Sequence, residues 1–259
     1  MRSGLIGLFF CLSLLVTGGY AAAGYQNGIP VLLYHHISDG PDNLPELGVS
    51  VDEFDRQMRA LKEAGFQSIP LAVLYAYMRG EQVDLPDSPV VITFDDGYED
   101  NYSAAHPILE HYGFQAVLFM VGENFDRNDR LSAGQAREMV AQTWEMESHT
   151  RTHPDLTGLD RKALKQELYD GKRKVEKTVR KEVRFFAYPG GFYNLPVFEA
   201  VQAAGYQGAF SVLTGLNRPD RDNVYLLRRI PVFRSTNFDK ILELLTRNHP
   251  KTSVLDYDP

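Results

Sequence analysis

The strongest constraint on the fold is an uninterrupted strand-like run, Val90-Val91-Ile92-Thr93-Phe94, which ends in the acidic pair Asp95-Asp96. A strand with one solvated face alternates apolar and polar residues, whereas a continuous run is typical of a parallel strand covered on both faces. The same reasoning predicts seven strands: Val31–Tyr34, Val90–Phe94, Ala116–Val121, Thr143–Ser148, Arg184–Tyr188, Gly208–Val212 and Tyr225–Val232.

Helical patterns separate most of these strands. The predicted helices are Val51–Ala64, Ser103–His111, Ala133–Ala141, Asp160–Val183, Leu195–Ala204 and Phe238–Asn248. Asp160–Val183 is rich in charge and is predicted to be one long, solvated outer helix. Repeated β-then-α order indicates an α/β fold with a parallel sheet, either a closed barrel or an open doubly wound sheet.

The N-terminus has the pattern of a secretory signal. Arg2 is its lone charge, the apolar run Leu5–Val16 follows, and Ala21-Ala22-Ala23 supplies small residues for cleavage. The alternative is a retained anchor, but twelve residues are too few to cross a hydrocarbon core of about 30 Å. We therefore expect a signal peptide over residues 1–23, one domain over residues 24–259, and export to the periplasm or the extracellular space, with no stable transmembrane segment after cleavage.

Cleavage would also change the chemistry available to the chain. The only cysteine, Cys11, lies in the signal segment, so the mature chain has no thiol and must bind any metal through His, Asp or Glu. Loss of Arg2 changes the net charge from -7 to -8. Nucleic-acid binders usually carry a basic surplus, so no nucleic-acid partner is expected.

Polar clusters follow four of the predicted strands. They are His35-His36, Asp95-Asp96-Gly97, His149 with His153, and Tyr188-Pro189-Gly190-Gly191. In parallel α/β folds the functional residues gather where strands end and loops begin. These four clusters therefore predict a single site at one end of the sheet.

Two of the clusters suggest metal chemistry. Adjacent carboxylates diverge and repel each other, so one of Asp95 and Asp96 is expected to bind a cation while the other stays free as a base. His149 and His153, four residues apart, can present two imidazoles to one metal if the segment forms a helical turn. With Asp96 they make a set that suits a divalent ion such as zinc and leaves coordination positions open. The alternatives are an ordinary Asp-Gly turn and a pair of surface histidines.

Taken together, Thr93–Gly97 and His149–His153 resemble the first two motifs of the polysaccharide deacetylase family, also called the NodB-homology domain. The resemblance runs from about Pro30 to Val232. It implies a distorted (β/α) barrel of about seven parallel strands and a hydrolase that removes acetyl groups from N-acetylglucosamine-containing polysaccharide. It also implies that Asp96, His149 and His153 are metal ligands and that Asp95 is the general base.

An acid is also needed, because an amine is a poor leaving group unless its nitrogen is protonated. The segment Val31-Leu32-Leu33-Tyr34-His35 resembles a subgroup with rearranged motif order, the exported poly-N-acetylglucosamine deacetylases. In that subgroup the catalytic histidine directly follows the tyrosine, which implies His35 as the acid. His36 and His249, which lies near the C-terminus, are the alternatives.

The segment Phe185–Gly191 resembles the third family motif, and it departs from that motif in two places. The resemblance implies that the backbone N–H of Gly190 stabilises the oxyanion, although the family often has Tyr or Phe there. Ala187 stands where the family often has an arginine that orients the base. Arg229 is predicted to orient Asp95 instead, unless it is a surface charge.

Three further residues are singled out by position. Tyr188 and Tyr193 are predicted to contact sugar rings. Glu147 stands where the family usually has glycine, and it either supports the nearby ligand or faces solvent. Two other functions are compatible with the same residues: an O-acetyl esterase acting on a polysaccharide such as xylan, and a glycan-binding barrel without catalytic activity.

Overall fold

The computed structural model describes residues 28–40 and 45–247, so the predicted signal segment and His249 lie outside the described residues. In these ranges the strands are β1 (Val31–Tyr34), β2 (His36–Ile37), β3 (Gly48–Val49), β4 (Gln67–Ser68), β5 (Pro89–Asp95), β6 (Ala116–Met120), β7 (Trp144–Ser148), β8 (Phe185–Ala187), β9 (Gly208–Phe210) and β10 (Ile230–Pro231). The α-helices are α1 (Val51–Glu63), α2 (Leu71–Met78), α3 (His106–Tyr112), α4 (Ala133–Gln142), α5 (Arg161–Lys165), α6 (Gly171–Val179), α7 (Leu195–Ala203) and α8 (Phe238–Arg247). None of them combines the length and apolar character required to span a bilayer.

The central sheet curls into a distorted barrel. Seven strands lie in the order β10-β1-β5-β6-β7-β8-β9, and all neighbouring pairs are parallel. Leu227, shortly before β10, makes a parallel bridge to Phe210 of β9, and its amide donates to the Ala209 carbonyl at 2.9 Å. The segment leading into β10 therefore connects the two ends of the order. The predicted barrel of parallel strands is confirmed, and the open doubly wound alternative is excluded.

Apolar side chains cover both faces of the sheet. Val31 and Val91 pack in one cluster with Leu74 of α2. Leu32 and Ile92, the next residue on each strand, pack in the larger cluster that holds the buried faces of most other helices. This alternation follows from the two-residue period of a strand. It explains why the strand sequences are continuously apolar, and it shows that α2, which the sequence patterns do not predict, fills one of the two layers.

Helix α1 agrees closely with the predicted Val51–Ala64. The Ser50 side chain accepts a hydrogen bond from the Glu53 amide at 3.3 Å and so caps the first turn. Phe54, Met58 and Leu61 recur at helical spacing and are fully buried. The local cap and the apolar stripe therefore specify the same helix.

The predicted helix Asp160–Val183 differs from the structure in two respects. It is divided into α5 and α6 by a π-helical turn, Gln166–Asp170. It is also not simply a solvated outer helix, because Leu168 and Val175 are fully buried and pack in the larger cluster. The charges on its outer face hide this apolar stripe in the sequence, and the π turn has no simple sequence signature.

Candidate active site

The four polar clusters come together at the carboxyl ends of the barrel strands. Asp95 is the last residue of β5, His35 follows β1, and His149 follows β7. β1 and β6 flank β5, and β7 lies beside β6. The parallel order of the sheet therefore brings together side chains that are more than a hundred residues apart in the chain.

Asp96, His149 and His153 form a compact group of possible metal ligands. One ligand atom from each lies within 4.8 Å of the others. An Asp96 carboxylate oxygen is 3.7 Å from Nε2 of His149 and 3.4 Å from Nε2 of His153. Two imidazole nitrogens and one carboxylate are a donor set that divalent ions such as zinc accept. The residues therefore fit the metal that the sequence implies.

The backbone that carries these ligands is irregular. Asp96, Thr150 and His153 have positive φ angles of 73°, 69° and 65°. The His153 amide donates to the Thr150 hydroxyl at 2.8 Å. The two histidines therefore face one point without the helical turn that their spacing suggested, because left-handed residues and a side-chain hydrogen bond shape this segment instead.

His149 is held in the form that a metal ligand requires. Its Nδ1 lies 2.7 Å from the Ala187 carbonyl oxygen, so Nδ1 carries the proton and Nε2 keeps its lone pair toward Asp96. Burial lowers the pKa of His149 and outweighs the opposing effect of the nearby carboxylates, including Asp95. The imidazole is therefore neutral at pH 7, as coordination demands.

Asp95 is hydrogen-bonded to Arg229 and lies beside the ligand group, with a carboxylate oxygen 3.8 Å from Nε2 of His149. The guanidinium donates two hydrogen bonds, of 2.7 and 2.8 Å, to the two carboxylate oxygens, and a third, of 2.9 Å, to the Ser211 carbonyl. Burial alone would raise the pKa of Asp95, but Arg229 and His149 outweigh it and lower the pKa to about 2. Arg229 is 0% exposed, which excludes the surface-charge alternative. Asp95 is therefore ionised, fixed in orientation, and free to act as a base.

His35 and His36 have different surroundings. His35 Nδ1 is buried and has no hydrogen-bond partner among the described residues. Burial lowers the pKa of His35, while the charges of Asp95 and Asp96 oppose that shift. His36, by contrast, is engaged through Nδ1 with an Asp100 carboxylate oxygen at 2.9 Å. Of the two rings, His35 is the one that faces the two carboxylates without a fixed partner.

Comparison with known proteins gives the family. Residues 82–209 match the sequence profile described as polysaccharide deacetylase. The Bacillus subtilis protein YxkH, whose name places it among the polysaccharide deacetylases, is 32% identical over 204 residues, which cover 79% of this chain and 71% of YxkH. The chain belongs to the polysaccharide deacetylase family.

Two further deacetylases are similar over most of the chain. The poly-β-1,6-N-acetyl-D-glucosamine N-deacetylase of Staphylococcus aureus is 28% identical over 195 residues, which cover 70% of this chain and 66% of that protein. The Streptococcus pyogenes deacetylase PplD, solved in complex with acetate, has a TM-score of 0.78 and 25% identity, covering 85% of this chain and 99% of that one. Both similarities extend well beyond the two short motifs.

The third family motif lies at the end of β8, and one of its predicted contacts is wrong. Gly190 is exposed just beyond β8 and has a φ of 59°. Tyr188, however, is 0% exposed, and its hydroxyl donates to the Tyr225 carbonyl at 3.1 Å. A sugar contact by Tyr188 is therefore wrong, because its ring belongs to the apolar core. Tyr193, which is 37% exposed, keeps an accessible ring.

Glu147 does not face solvent in this member of the polysaccharide deacetylase family. Its Oε2 accepts hydrogen bonds from the Arg184 and Phe185 amides, each at 2.7 Å, and so ties β8 to β7. Burial raises the pKa of Glu147 to about 8 despite these two donors. The carboxyl therefore supports the strand that ends at Ala187, the residue whose carbonyl holds His149.

Sequence reasoning missed the residues that hold the His35 segment. The Asn101 side-chain amide donates to the His35 carbonyl at 2.7 Å. The Ile37 amide donates to the Asp100 carboxylate at 3.1 Å. Asp100 and Asn101 follow the Asp95-Asp96 motif within the same short stretch. Two polar residues at the start of an otherwise amphipathic helix are a signal that could have revealed them.

Proposed function

We propose that this chain is a metal-dependent N-deacetylase that releases acetate from N-acetylglucosamine-containing polysaccharide, with zinc as the ion. The observation that carries the proposal is the separation of roles between two adjacent carboxylates. Asp96 lies with His149 and His153, while Asp95 is held ionised by Arg229 next to that group. A barrel that only bound glycan would have no need of a buried, ionised carboxylate at this position.

The chain's own residues supply the proton transfers. A divalent ion held by Asp96, His149 and His153 would lower the pKa of water and polarise the acetyl carbonyl. Asp95 accepts the proton of the attacking water. The amide N–H of Gly190 donates to the developing oxyanion.

His35 donates a proton to the departing amine nitrogen. Burial lowers the pKa of His35, which makes the protonated ring a stronger acid. The negative charges of Asp95 and Asp96 oppose this shift without reversing it, so a protonated His35 ring releases its proton readily to the amine. The site therefore contains a base and an acid whose surroundings differ, as amide hydrolysis requires.

The substrate we propose is a polymer of N-acetylglucosamine outside the cytoplasm, with poly-β-1,6-N-acetylglucosamine as the first choice. The Staphylococcus aureus relative is named for that polymer. The Tyr34-His35 segment that precedes the Asp95-Asp96 motif supports the same subgroup. Export is proposed from the signal pattern of residues 1–23. Tyr193 is the proposed ring for contact with a sugar.

The test is acetate release from β-1,6- and β-1,4-linked N-acetylglucosamine oligomers, before and after chelation and after return of zinc. We expect activity to disappear on chelation and to return with metal. Asp95→Asn should lower kcat by about 10²- to 10⁴-fold, the usual contribution of a general base. The exposed Asp52→Asn on α1 is the matched control and should leave kcat unchanged. Full activity in Asp95→Asn would disprove the assignment of the base.

A further inference from the structure

Glu167 is a buried carboxylate beside the loop that carries the two histidines. It lies in the π-helical turn between α5 and α6 and is only 6% exposed. A charged side chain is rarely buried to this extent unless it is paired or hydrogen-bonded. Its partners therefore indicate what it does.

In the part of the chain that the structure describes, Glu167 accepts three hydrogen bonds, and all of them come from the loop between His149 and His153. Oε2 accepts from the Arg151 amide at 3.0 Å and from the Thr152 amide at 2.8 Å. Oε1 accepts from the Thr152 hydroxyl at 2.8 Å. One carboxylate thus accepts hydrogen bonds from both of the residues that lie directly before His153.

The loop is held from the opposite side by two backbone hydrogen bonds and by an ion pair between Arg151 and Glu123, whose Nη1 and Oε1 atoms lie 3.0 Å apart. The Gly122 amide donates to the Thr150 carbonyl at 3.0 Å, and the Glu123 amide donates to the Arg151 carbonyl at 2.9 Å. Glu167 takes the remaining amides of Arg151 and Thr152. The loop is therefore fixed between the segment after β6 and the π turn.

Such fixing matters because the loop adopts unfavourable backbone conformations. Thr150 and His153 are both left-handed, at a cost of roughly 1 kcal/mol or more for each non-glycine residue. A loop with this strain relaxes unless its surroundings enforce the conformation. His153, whose side chain is 41% exposed, has little packing of its own to keep it in place.

We infer that Glu167 is a positioning residue of the metal site: it holds the Arg151-Thr152 backbone so that His153 and His149 face Asp96 together. This role rests on the proposed function, since it assumes that the three residues bind a metal. Glu167 itself is not among those three ligands. π turns often occur at functional sites, and here the turn carries the carboxylate that meets the loop.

The test is zinc affinity of the folded metal-free protein, measured by competition with a chromogenic chelator. Glu167→Ala should weaken zinc binding about 10- to 100-fold, the usual effect of losing a group that orients a ligand. Glu167→Gln keeps an oxygen for the two amides and should stay within about fivefold of wild type. The control is Glu176→Gln on α6, which should leave zinc affinity unchanged because the carboxylate accepts the Val183 amide, at 3.2 Å, and no donor of the histidine loop. A folded Glu167→Ala protein with wild-type zinc affinity would overturn the inference.

A second variant covers the case in which Glu167→Ala does not fold. Thr152→Val removes one of the three hydrogen bonds from an exposed residue and should weaken zinc binding about threefold, as loss of one hydrogen bond predicts. Unchanged affinity in that variant would also contradict the role of Glu167. Because zinc binding is measured rather than acetate release, a wild-type protein that binds zinc without releasing acetate would refute the proposed function and leave this inference standing.

Discussion

Asp95 and Arg229 lie 134 residues apart in the chain and meet in a bidentate ion pair, with donor–acceptor distances of 2.7 and 2.8 Å. Both side chains are almost completely buried. A buried charge without its partner costs several kcal/mol, so neither residue can be lost without consequence for the other. Each carboxylate oxygen still has a second lone pair, so the pair leaves Asp95 able to accept a proton.

Replacement of Arg229 by lysine should affect chemistry more than folding, because the buried positive charge is retained. Arg229→Lys keeps one positive charge but cannot donate two parallel hydrogen bonds. We expect kcat to fall by at least about tenfold with little change in KM. Arg229 holds the pKa of Asp95 at about 2, whereas burial alone would raise it. The acidic limb of the pH–kcat profile should therefore move to higher pH.

The neighbouring arginine provides the control for this experiment. Arg228 is partly exposed and donates to Asp222 at 2.7 Å, away from Asp95. Arg228→Lys should leave both kcat and the acidic limb unchanged. Identical pH–kcat profiles for Arg229→Lys and wild type would show that Arg229 does not control the ionisation of Asp95.

The short motifs predicted the centre of the site because their information is local. Asp95, Asp96, His149 and His153 belong to residue types that bind metals or protons, and each follows an apolar strand. Arg229 was predicted only with an alternative, because its partner lies far away in the chain. The structure separates the two arginines by their partners, Asp95 for Arg229 and Asp222 for Arg228, although both precede β10, which is shorter than the predicted strand Tyr225–Val232.

The errors also have physical causes. Tyr188 follows a strand like the other site residues, but its ring points to the core side, which aromatic character alone does not reveal. Glu167 lies in a charged stretch that reads as a solvated helix. Its burial depends on a π turn and on packing against a distant loop, neither of which leaves a periodic signal. Polar residues that act through backbone contacts are therefore the part of this site that sequence patterns miss.

His35 can be tested by comparing two substrates. An amine must be protonated to leave, whereas an ester's leaving group needs less help, so His35→Ala should reduce amide hydrolysis by about 10²-fold or more and ester hydrolysis far less. Acetate release from an N-acetylated oligomer and from an O-acetylated xylan measures both. An equal loss on the two substrates would argue against His35 as the acid. His36→Ala serves as the comparison, because that ring is already engaged by Asp100.

Gly171, the first residue of α6, should not tolerate a side chain. A Cβ there would lie 2.5 Å from the Thr150 carbonyl carbon and 2.7 Å from the Arg151 amide nitrogen, and backbone atoms cannot move aside easily. Gly171→Ala should destabilise the protein by about 1–3 kcal/mol, as overpacking does, and weaken zinc binding.

Gly134 in α4 is the matched control, because a Cβ there meets nothing closer than 3.7 Å. Gly134→Ala should stabilise the protein by about 0.5–1 kcal/mol. Urea unfolding measures both changes. If both substitutions changed the free energy of unfolding in the same direction, the close approach of α6 to the histidine loop would be contradicted.

The raised pKa of Glu147 should make the stability of the protein depend on pH. The pKa of Glu147 is about 8 in the folded protein and about 4.3 in an unfolded chain. The contribution of Glu147 to the free energy of unfolding is therefore fully present below about pH 4 and is lost as the pH rises toward 8. Glu147→Gln keeps an oxygen for the Arg184 and Phe185 amides and cannot ionise. At pH 8 the variant should therefore be more stable than wild type by about 2 kcal/mol or more, since each pKa unit is worth about 1.4 kcal/mol. The difference between the urea midpoints at pH 5 and pH 8 should be smaller in Glu147→Gln than in wild type. The exposed control Glu110→Gln should keep the wild-type difference. A variant that loses as much stability as wild type over this interval would show that Glu147 is ionised in the folded state.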